Sequence, residues 1–401
     1  MNQLPIEIKS IILNLLNLKS QINFIFASKE NQHLIKHWRI KKQTPVLEKI
    51  KKLSYFDCFE NIAIHELLHY YPKKLRHLTF GDCFNQSIKG CIPSFVTYLT
   101  FGENFNQPIN DCISSSVTHL KFGHYFNQII DGCIPSSVTY LKFGHYFNQS
   151  IQGNIPLSVK HLTFGRCFNQ SIYDCIPSSV THLKLQGCFN QSIKHCINSV
   201  THLTLYLCSF TSVEESIPLS VTHLKLDGCS IQHIKKCIPL SVTHLTFGWW
   251  FNQPIEKIIP SSVIHLTFGR YFNQSIQGNI PSSVTYLKFG HYFNQSIQGN
   301  IPLSVTHLSF GDYFNHHIDD CIPSSVTHLS FGEHFNQSIK NCIPPSVTYL
   351  KFGEHFNQII DGYIPLSIKY LEFYKKFEKF KMKHVPSTVE KLKFIIPHHK
   401  K

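Results

Sequence analysis

The sequence predicts a mainly β solenoid, a parallel sheet of about 16 repeats of 21 residues, with a small α-helical domain at its N-terminus. Three observations point there. The stretch SVTYLKFGHYFNQSIQGNIPLSV stands at Ser137–Val159 and again, letter for letter, at Ser283–Val305. A branched apolar residue recurs at Leu75, Val96, Val117, Val138, Val159, Val180, Val200, Val221, Val242, Val263, Val284, Val305, Val326, Val347, Ile368 and Val389, always 21 residues apart except for one step of 20 into Val200. The chain holds 33 Phe, while Ala occurs only at Ala27 and Ala63, a balance that favours strands over helices.

Residues 1–42 carry the helical signal. In LPIEIKSIILNLLNL the apolar residues Ile8, Ile11, Ile12, Leu15 and Leu16 fall at helical spacing, and Pro5 suits a first turn. In FASKENQHLIKHW, Ser28 fits an N-cap, and Leu34 and Trp38 stand four apart. Residues 43–74 are expected to link and cap, with FENIAIHELLHYY (59–71) reading as a helix. The solenoid is expected over 75–394, followed by a basic tail at 395–401.

Within a unit, we count from the branched residue as position 1. Position 4 is Leu in every unit, and position 6 is Phe or Leu, as in Leu99 and Phe101. A spacing of two puts both on one strand face. Position 3 is His or Tyr and position 5 mostly Thr, Lys or Ser, so those look the other way. Gly-Asn or Asp-Cys ahead of the IPxS segment supplies turn chemistry, and the proline keeps the return extended. One unit has too little core to fold alone, so neighbours must stack on it.

Bulk properties narrow the function classes. The net charge of +14 is dilute, since only 15% of residues are charged, and the repeats hold no basic block of the kind nucleic-acid binders concentrate. No run of 18 apolar residues occurs, so no membrane span is expected. The first residues lack a basic leader and a small-residue cleavage site, so an intracellular, cytoplasmic protein is expected.

The units, of the form IPxSVTHLxFGxxFNQxI, resemble FNIP repeats, found in proteins of social amoebae and some giant DNA viruses. Phe-Asn recurs twelve times, at positions 10 and 11, from Phe84 to Phe356. That family is related to leucine-rich repeats, and the unit Val221-x-x-Leu224-x-Leu226-x-x-Cys229-x-Ile231 fits the leucine-rich pattern itself. The resemblance implies a leucine-rich-repeat-like parallel sheet in which Asn forms a ladder between units. Residues 1–42 resemble an F-box, which docks on the Skp1-like adaptor of a cullin-type ubiquitin ligase; host cytoplasm is implied if the chain is viral. That resemblance implies that Leu4, Pro5, Ile8, Ile12 and Leu16 face the adaptor or the packing that presents it. A helical cap over the first strand is the other reading of these residues.

Candidate chemistry divides by column. Eight cysteines share one column at position 17, among them Cys112, Cys133 and Cys342, and five stand at position 9. There is no C-x-x-C and no zinc-ligand spacing, and Asn or Ile replaces cysteine in the same columns, so small buried thiols are expected rather than a metal site. The His and Tyr of position 3 interchange, which argues against a metal array. No Ser, Asp or Cys constellation is unique to one unit, so neither an enzyme nor a cofactor is expected. Asn-Gln-Ser occurs seven times, as at Asn148, and is read as structural rather than as a glycosylation acceptor.

Positions 8 and 9, just after the strand, vary between constant flanks: Asp82-Cys83, His145-Tyr146, Trp249-Trp250, Arg270-Tyr271 and Glu333-His334. Trp, Tyr and Arg are enriched at binding hot spots. The expected target face comprises His119, Tyr140, Lys142, His145, Trp249, Trp250 and Tyr271. The function so read is non-catalytic: a substrate-recognition subunit of a Skp1–cullin–F-box ubiquitin ligase, holding an unknown protein substrate on its repeats. The alternatives are an interaction scaffold without a ubiquitin link, or a solenoid binding single-stranded RNA through stacked Tyr and His with lysines such as Lys142 on phosphates. Asp312, Glu333 and Glu354 on the same rim weigh against RNA.

Overall fold

The computed structural model describes residues 20–21, 25, 56–187, 189–206, 217–228, 237–374 and 385–395. These fall in two compact units, Met1–Val180 and Thr181–Lys401. The first contains β1 (Asn61–Ile64), β2 (His77–Phe80), β3 (Tyr98–Thr100), β4 (His119–Lys121), β5 (Tyr140–Lys142) and β6 (His161–Thr163). The second contains β7 (His182–Leu185), β8 (His202–Tyr206), β9 (His223–Asp227), β10 (His244–Phe247), β11 (His265–Thr267), β12 (Tyr286–Lys288), β13 (His307–Ser309), β14 (His328–Ser330), β15 (Tyr349–Lys351), β16 (Tyr370–Tyr374) and β17 (Lys391–Ile395). Within each unit successive strands pair in parallel, and from β2 onward in repeat register with Leu opposite Leu. The fold is a parallel-sheet β solenoid with almost no helix among the described residues.

The described repeats turn corners of three kinds. The strand ends in a turn in which the position 10 N–H donates to the position 7 carbonyl, as in Phe84 to Gly81 at 3.0 Å. A second turn closes from position 17 to 14, as in Cys112 to Ile109 at 3.0 Å. Its third residue takes a positive φ, as at Gly132 (63°) and Asp111 (53°), which accounts for the Gly, Asp and Asn found there. The proline carbonyl closes the third corner, as in Val96 N–H to Pro93 O at 3.1 Å.

The core is a set of columns. Val138, Leu141, Phe143, Phe147 and Ile151 are each 0–1% exposed. Phenylalanine rings stack both within a unit, Phe143 on Phe147 at 4.0 Å, and between units, Phe143 on Phe164 at 5.4 Å. The strand is short because position 7 is glycine. A Cβ built on Gly269 would stand 1.7 Å from the carbonyl oxygen of Gly248, so the backbones touch where a side chain cannot fit. Where Tyr206, Asp227 and Tyr374 replace that glycine, the strands lengthen to five residues.

Three polar ladders join the rungs. The serine before position 1 donates to the preceding unit, as in Ser137 Oγ to Val117 O at 2.7 Å. The position 2 threonine does likewise, as in Thr118 Oγ1 to Thr97 O at 3.2 Å. The FN asparagine accepts on Oδ1 the backbone N–H of the next asparagine, Asn148 to Asn127 at 2.9 Å, and the side chain of the next glutamine, Gln149 Nε2 at 3.0 Å. This is the asparagine ladder expected from the sequence.

One expectation is corrected. The segment 59–71 is not a helix: Asn61–Ile64 is strand β1, paired with β2 through Ile62 opposite Leu78 and Ile64 opposite Phe80. Phe59 stands at its position 1, 2% exposed, and closes the usual corner with its N–H on Phe56 O at 3.2 Å. The rung escapes a search at fixed period because Asn61 precedes its partner His77 by 16 residues rather than 21. The short return has no room for a Phe-Asn segment, and the alternating Ile62 and Ile64 outweigh the local helical spacing once a strand edge is available. Residues 1–19 and 26–55 lie outside the described residues, and with them most of the F-box-like segment and all of its named adaptor-facing residues, Leu4, Pro5, Ile8, Ile12 and Leu16.

Candidate functional site

Two features rise from the rungs: a face of stacked imidazole and phenol rings at position 3, and a rim of turn residues at positions 8 and 9.

On the face, His119 and Tyr140 stack at 5.6 Å in the first unit, and Lys121 Nζ lies 5.5 Å from the Tyr140 ring. In the second unit the imidazoles of His182, His202, His223, His244 and His265 stack in series at 4.0–4.2 Å. Threonine orients each ring where it precedes one: Thr118 Oγ1 stands 2.9 Å from His119 Nδ1. Since that hydroxyl gives its proton to the Thr97 carbonyl, its oxygen takes the Nδ1–H, which assigns the tautomer. Burial, reinforced by neighbouring imidazoles, pushes the His223 and His244 side chains below the usual imidazole range. Burial also lowers His119, helped by Lys121, His77 and His161.

At the rim, positions 8 and 9 are the central residues of the strand-end turn, so their side chains leave the ladder while their backbones stay in it. The Tyr146 N–H donates to His124 O at 3.0 Å and Tyr271 N–H to Trp249 O at 2.9 Å. In the first unit Tyr125 stacks on Tyr146 at 5.2 Å, and His124 lies 4.6 Å from His145. In the second, Trp250, Tyr271, Tyr292 and Tyr313 stack in series at 4.6, 5.1 and 5.0 Å. Trp249 and Trp250 are 59% and 48% exposed, although such large apolar rings are ordinarily covered.

The sequence-expected target residues thus occupy both features. His119 and Tyr140 are half-buried on the face of the first unit, with Lys142 exposed beside them and His145 half-buried on its rim. Trp250 and Tyr271 are brought into ring contact on the rim of the second unit. The expected target face lacks two residues that the structure adds to it, Arg270 and Tyr292. The Arg270 guanidinium carbon lies 5.7 Å from the ring centroids of both Trp249 and Tyr292. Arg270 belongs to a variable position 8–9 pair, which was the available signal; its ring partners lie one unit to either side, beyond the reach of local reading.

The buried position 17 thiols are structural, whereas Cys91 and Cys196 of the same column are half-buried. Cys112 and Cys133 are buried, donating to the carbonyls of Asn110 at 3.1 Å and Asp131 at 3.2 Å. Burial pushes both thiols up, and pushes Cys342 up to about 12 with help from its bond to Asp319. These are protonated sulfurs, not nucleophiles. Among the described residues no group of three His, Cys, Asp or Glu could hold a metal ion, and no helix is long and apolar enough to cross a membrane.

The FNIP Repeat family matches five overlapping stretches running from 71 to 188, then 213–249, 251–292, 293–334 and 335–376. The chain belongs to the FNIP repeat family. The FNIP match passes over 189–212, where Leu205 rather than Phe holds position 6. A crystal structure of CroV588, described as a novel circular LRR protein, is similar to the chain with a TM-score of 0.61 and 38% identity. The similarity covers 84% of this chain and 60% of CroV588, so the chain spans about 60% of that protein's length. No curated protein sequence matches the chain. FNIP units on a leucine-rich-repeat-like solenoid have the architecture of an interaction scaffold.

Proposed function

We propose that this chain is a non-catalytic scaffold that holds a protein target on its rim, and that it does so as the substrate-recognition subunit of a Skp1–cullin–F-box ubiquitin ligase. The observation behind the scaffold half is the series Trp250, Tyr271, Tyr292 and Tyr313. These rings are exposed or half-exposed, yet held at near-constant spacing by backbone bonds, so little ordering entropy is lost when a partner covers them. The ligase half is supported by the F-box resemblance of residues 1–42. Carboxylates at Asp312, Glu333 and Glu354 occupy position 8 of the same rim and disfavour RNA.

Affinity purification of the full chain beside its Leu4→Ala, Pro5→Ala double variant and its Trp250→Ala variant separates the two halves. Adaptor and cullin are expected with the parent and lost with the double variant, while a further bound protein is lost only with Trp250→Ala. Recovery of that protein without any adaptor removes the ligase half and leaves the scaffold. Recovery of no bound protein removes both.

A further inference from the structure

An open groove of about 410 Å³ lies in the second unit between the position 5 residues of the face and the position 8 residues of the rim. The charged residues of its lining are Lys225, Arg270, Lys288 and Asp312, with Trp249 and His291 beside them, and glycines at position 7 line it too. Three fixed cations thus face one carboxylate, and that carboxylate is already engaged: Asp312 pairs with the imidazole of His291.

Arg270 is prepared in an unusual way. Its guanidinium lies between the rings of Trp249 and Tyr292, and its Nε is buried without a hydrogen-bond partner. Arginine has donors only, and a buried donor left unmade is costly. A guanidinium kept beside aromatic rings loses little freedom on binding and offers its planar edge to a two-oxygen acceptor. We propose that this groove receives a carboxylate from an acidic segment of a protein target, with Arg270 as the main contact, Lys225 and Lys288 as the supporting charges, and Trp249 as the apolar surface beside it. The inference rests on the scaffold function above and names the chemistry of its partner.

Charge complementarity selects a peptide over a polyanion. The basic stretch of the rim is short: after Arg270, position 8 holds His291 and then Asp312, Glu333 and Glu354. A nucleic acid following the rim would carry phosphates past three carboxylates, whereas a peptide can place acidic residues at Arg270 and apolar ones at Trp249, which is 59% exposed.

The test uses the full chain and fluorescence anisotropy of a short fluorescein-labelled peptide alternating Glu and Leu. Controls are the same peptide with Gln for Glu and a short oligouridylate. The parent is expected to prefer the Glu peptide over the Gln peptide by about tenfold or more, with affinity falling as salt rises. Arg270→Gln is expected to erase that preference. Lys288→Gln, an exposed substitution that leaves the core untouched, is expected to weaken binding by a few fold, roughly one surface charge. Arg166→Gln, at the same repeat position in the first unit, is expected to change nothing. Equal binding of the Glu and Gln peptides, an unchanged Arg270→Gln, or an Arg270-dependent preference for oligouridylate overturns the proposal. If Arg270→Gln retains in affinity purification the same partner as the parent, the groove is wrong and the scaffold function survives; if the parent retains none, the scaffold function fails first.

Discussion

The imidazoles of His223 and His244 stack at 4.0 Å with an interplanar angle of 14°, each anchored through Nδ1, 2.9 Å from the preceding threonine hydroxyl. Stacking at that distance suits neutral rings and penalises two charged ones. His202 and His265 continue the column on either side, and the position 5 residue Lys225 adds a further cation to the same face. The relationship therefore couples the solenoid to pH.

Both side chains are held below the imidazole value of the unfolded chain, by burial first and by neighbouring imidazoles second. The unfolded chain then binds more protons as pH falls, so stability is complete above pH about 6.5 and declines below it. The midpoint of urea unfolding is expected to drop between pH 7.5 and 5.5. His244→Tyr, which places at position 3 the residue of Tyr98 and Tyr286, is expected to reduce that drop. An equal drop in the variant assigns the pH dependence to other groups.

Asn148 joins three rungs. Its N–H donates to Asn127 Oδ1 at 2.9 Å, and its own Oδ1 accepts Asn169 N–H at 2.9 Å and Gln170 Nε2 at 3.2 Å. Replacing it with Ala strands a half-buried backbone donor. The expected loss is about 1–3 kcal/mol in urea unfolding monitored by far-UV circular dichroism. Ser150→Ala, three residues from the strand-end turn and exposed, is expected to lie near zero.

Two glycines separate steric contact from backbone conformation. Gly269→Ala drives a methyl into the Gly248 carbonyl, and because the obstructing atoms are backbone they cannot swing aside. It is expected to prevent folding of that region, seen as protease sensitivity between Gly248 and Gly290. Gly278→Ala meets open space but requires φ of +65°, with an expected cost of about 1 kcal/mol.

Thiol reactivity should follow the columns. Cys83 at position 9 is exposed, whereas Cys112, Cys133 and Cys342 are buried, with Cys342 pushed up to about 12. Iodoacetamide at pH 8 followed by peptide mass spectrometry is expected to label Cys83 rapidly and the three buried thiols only after denaturation. Rapid labelling of Cys342 in the folded protein would contradict its burial.

Repetition made most of this fold legible in the sequence. Leu141 and Phe143 stand two apart in a strand that recurs at fixed spacing, so their burial, the parallel register and the asparagine ladder all follow from local chemistry applied many times. The rung at Asn61–Ile64 was hidden because its return is short, and helical spacing over 59–71 outweighed two alternating isoleucines until a neighbouring strand supplied hydrogen bonds for them. Positions 8 and 9 could be singled out by their variation, but the placement of Arg270 between Trp249 and Tyr292 could not. Those three residues come from three successive units, and only stacking at the spacing of a parallel sheet sets a guanidinium between two rings. The sequence alone determined a solenoid and the columns that build it. Tertiary structure decided which side chains of different units meet, because contacts across rungs depend on register and on the direction of each turn, neither of which a single repeat encodes.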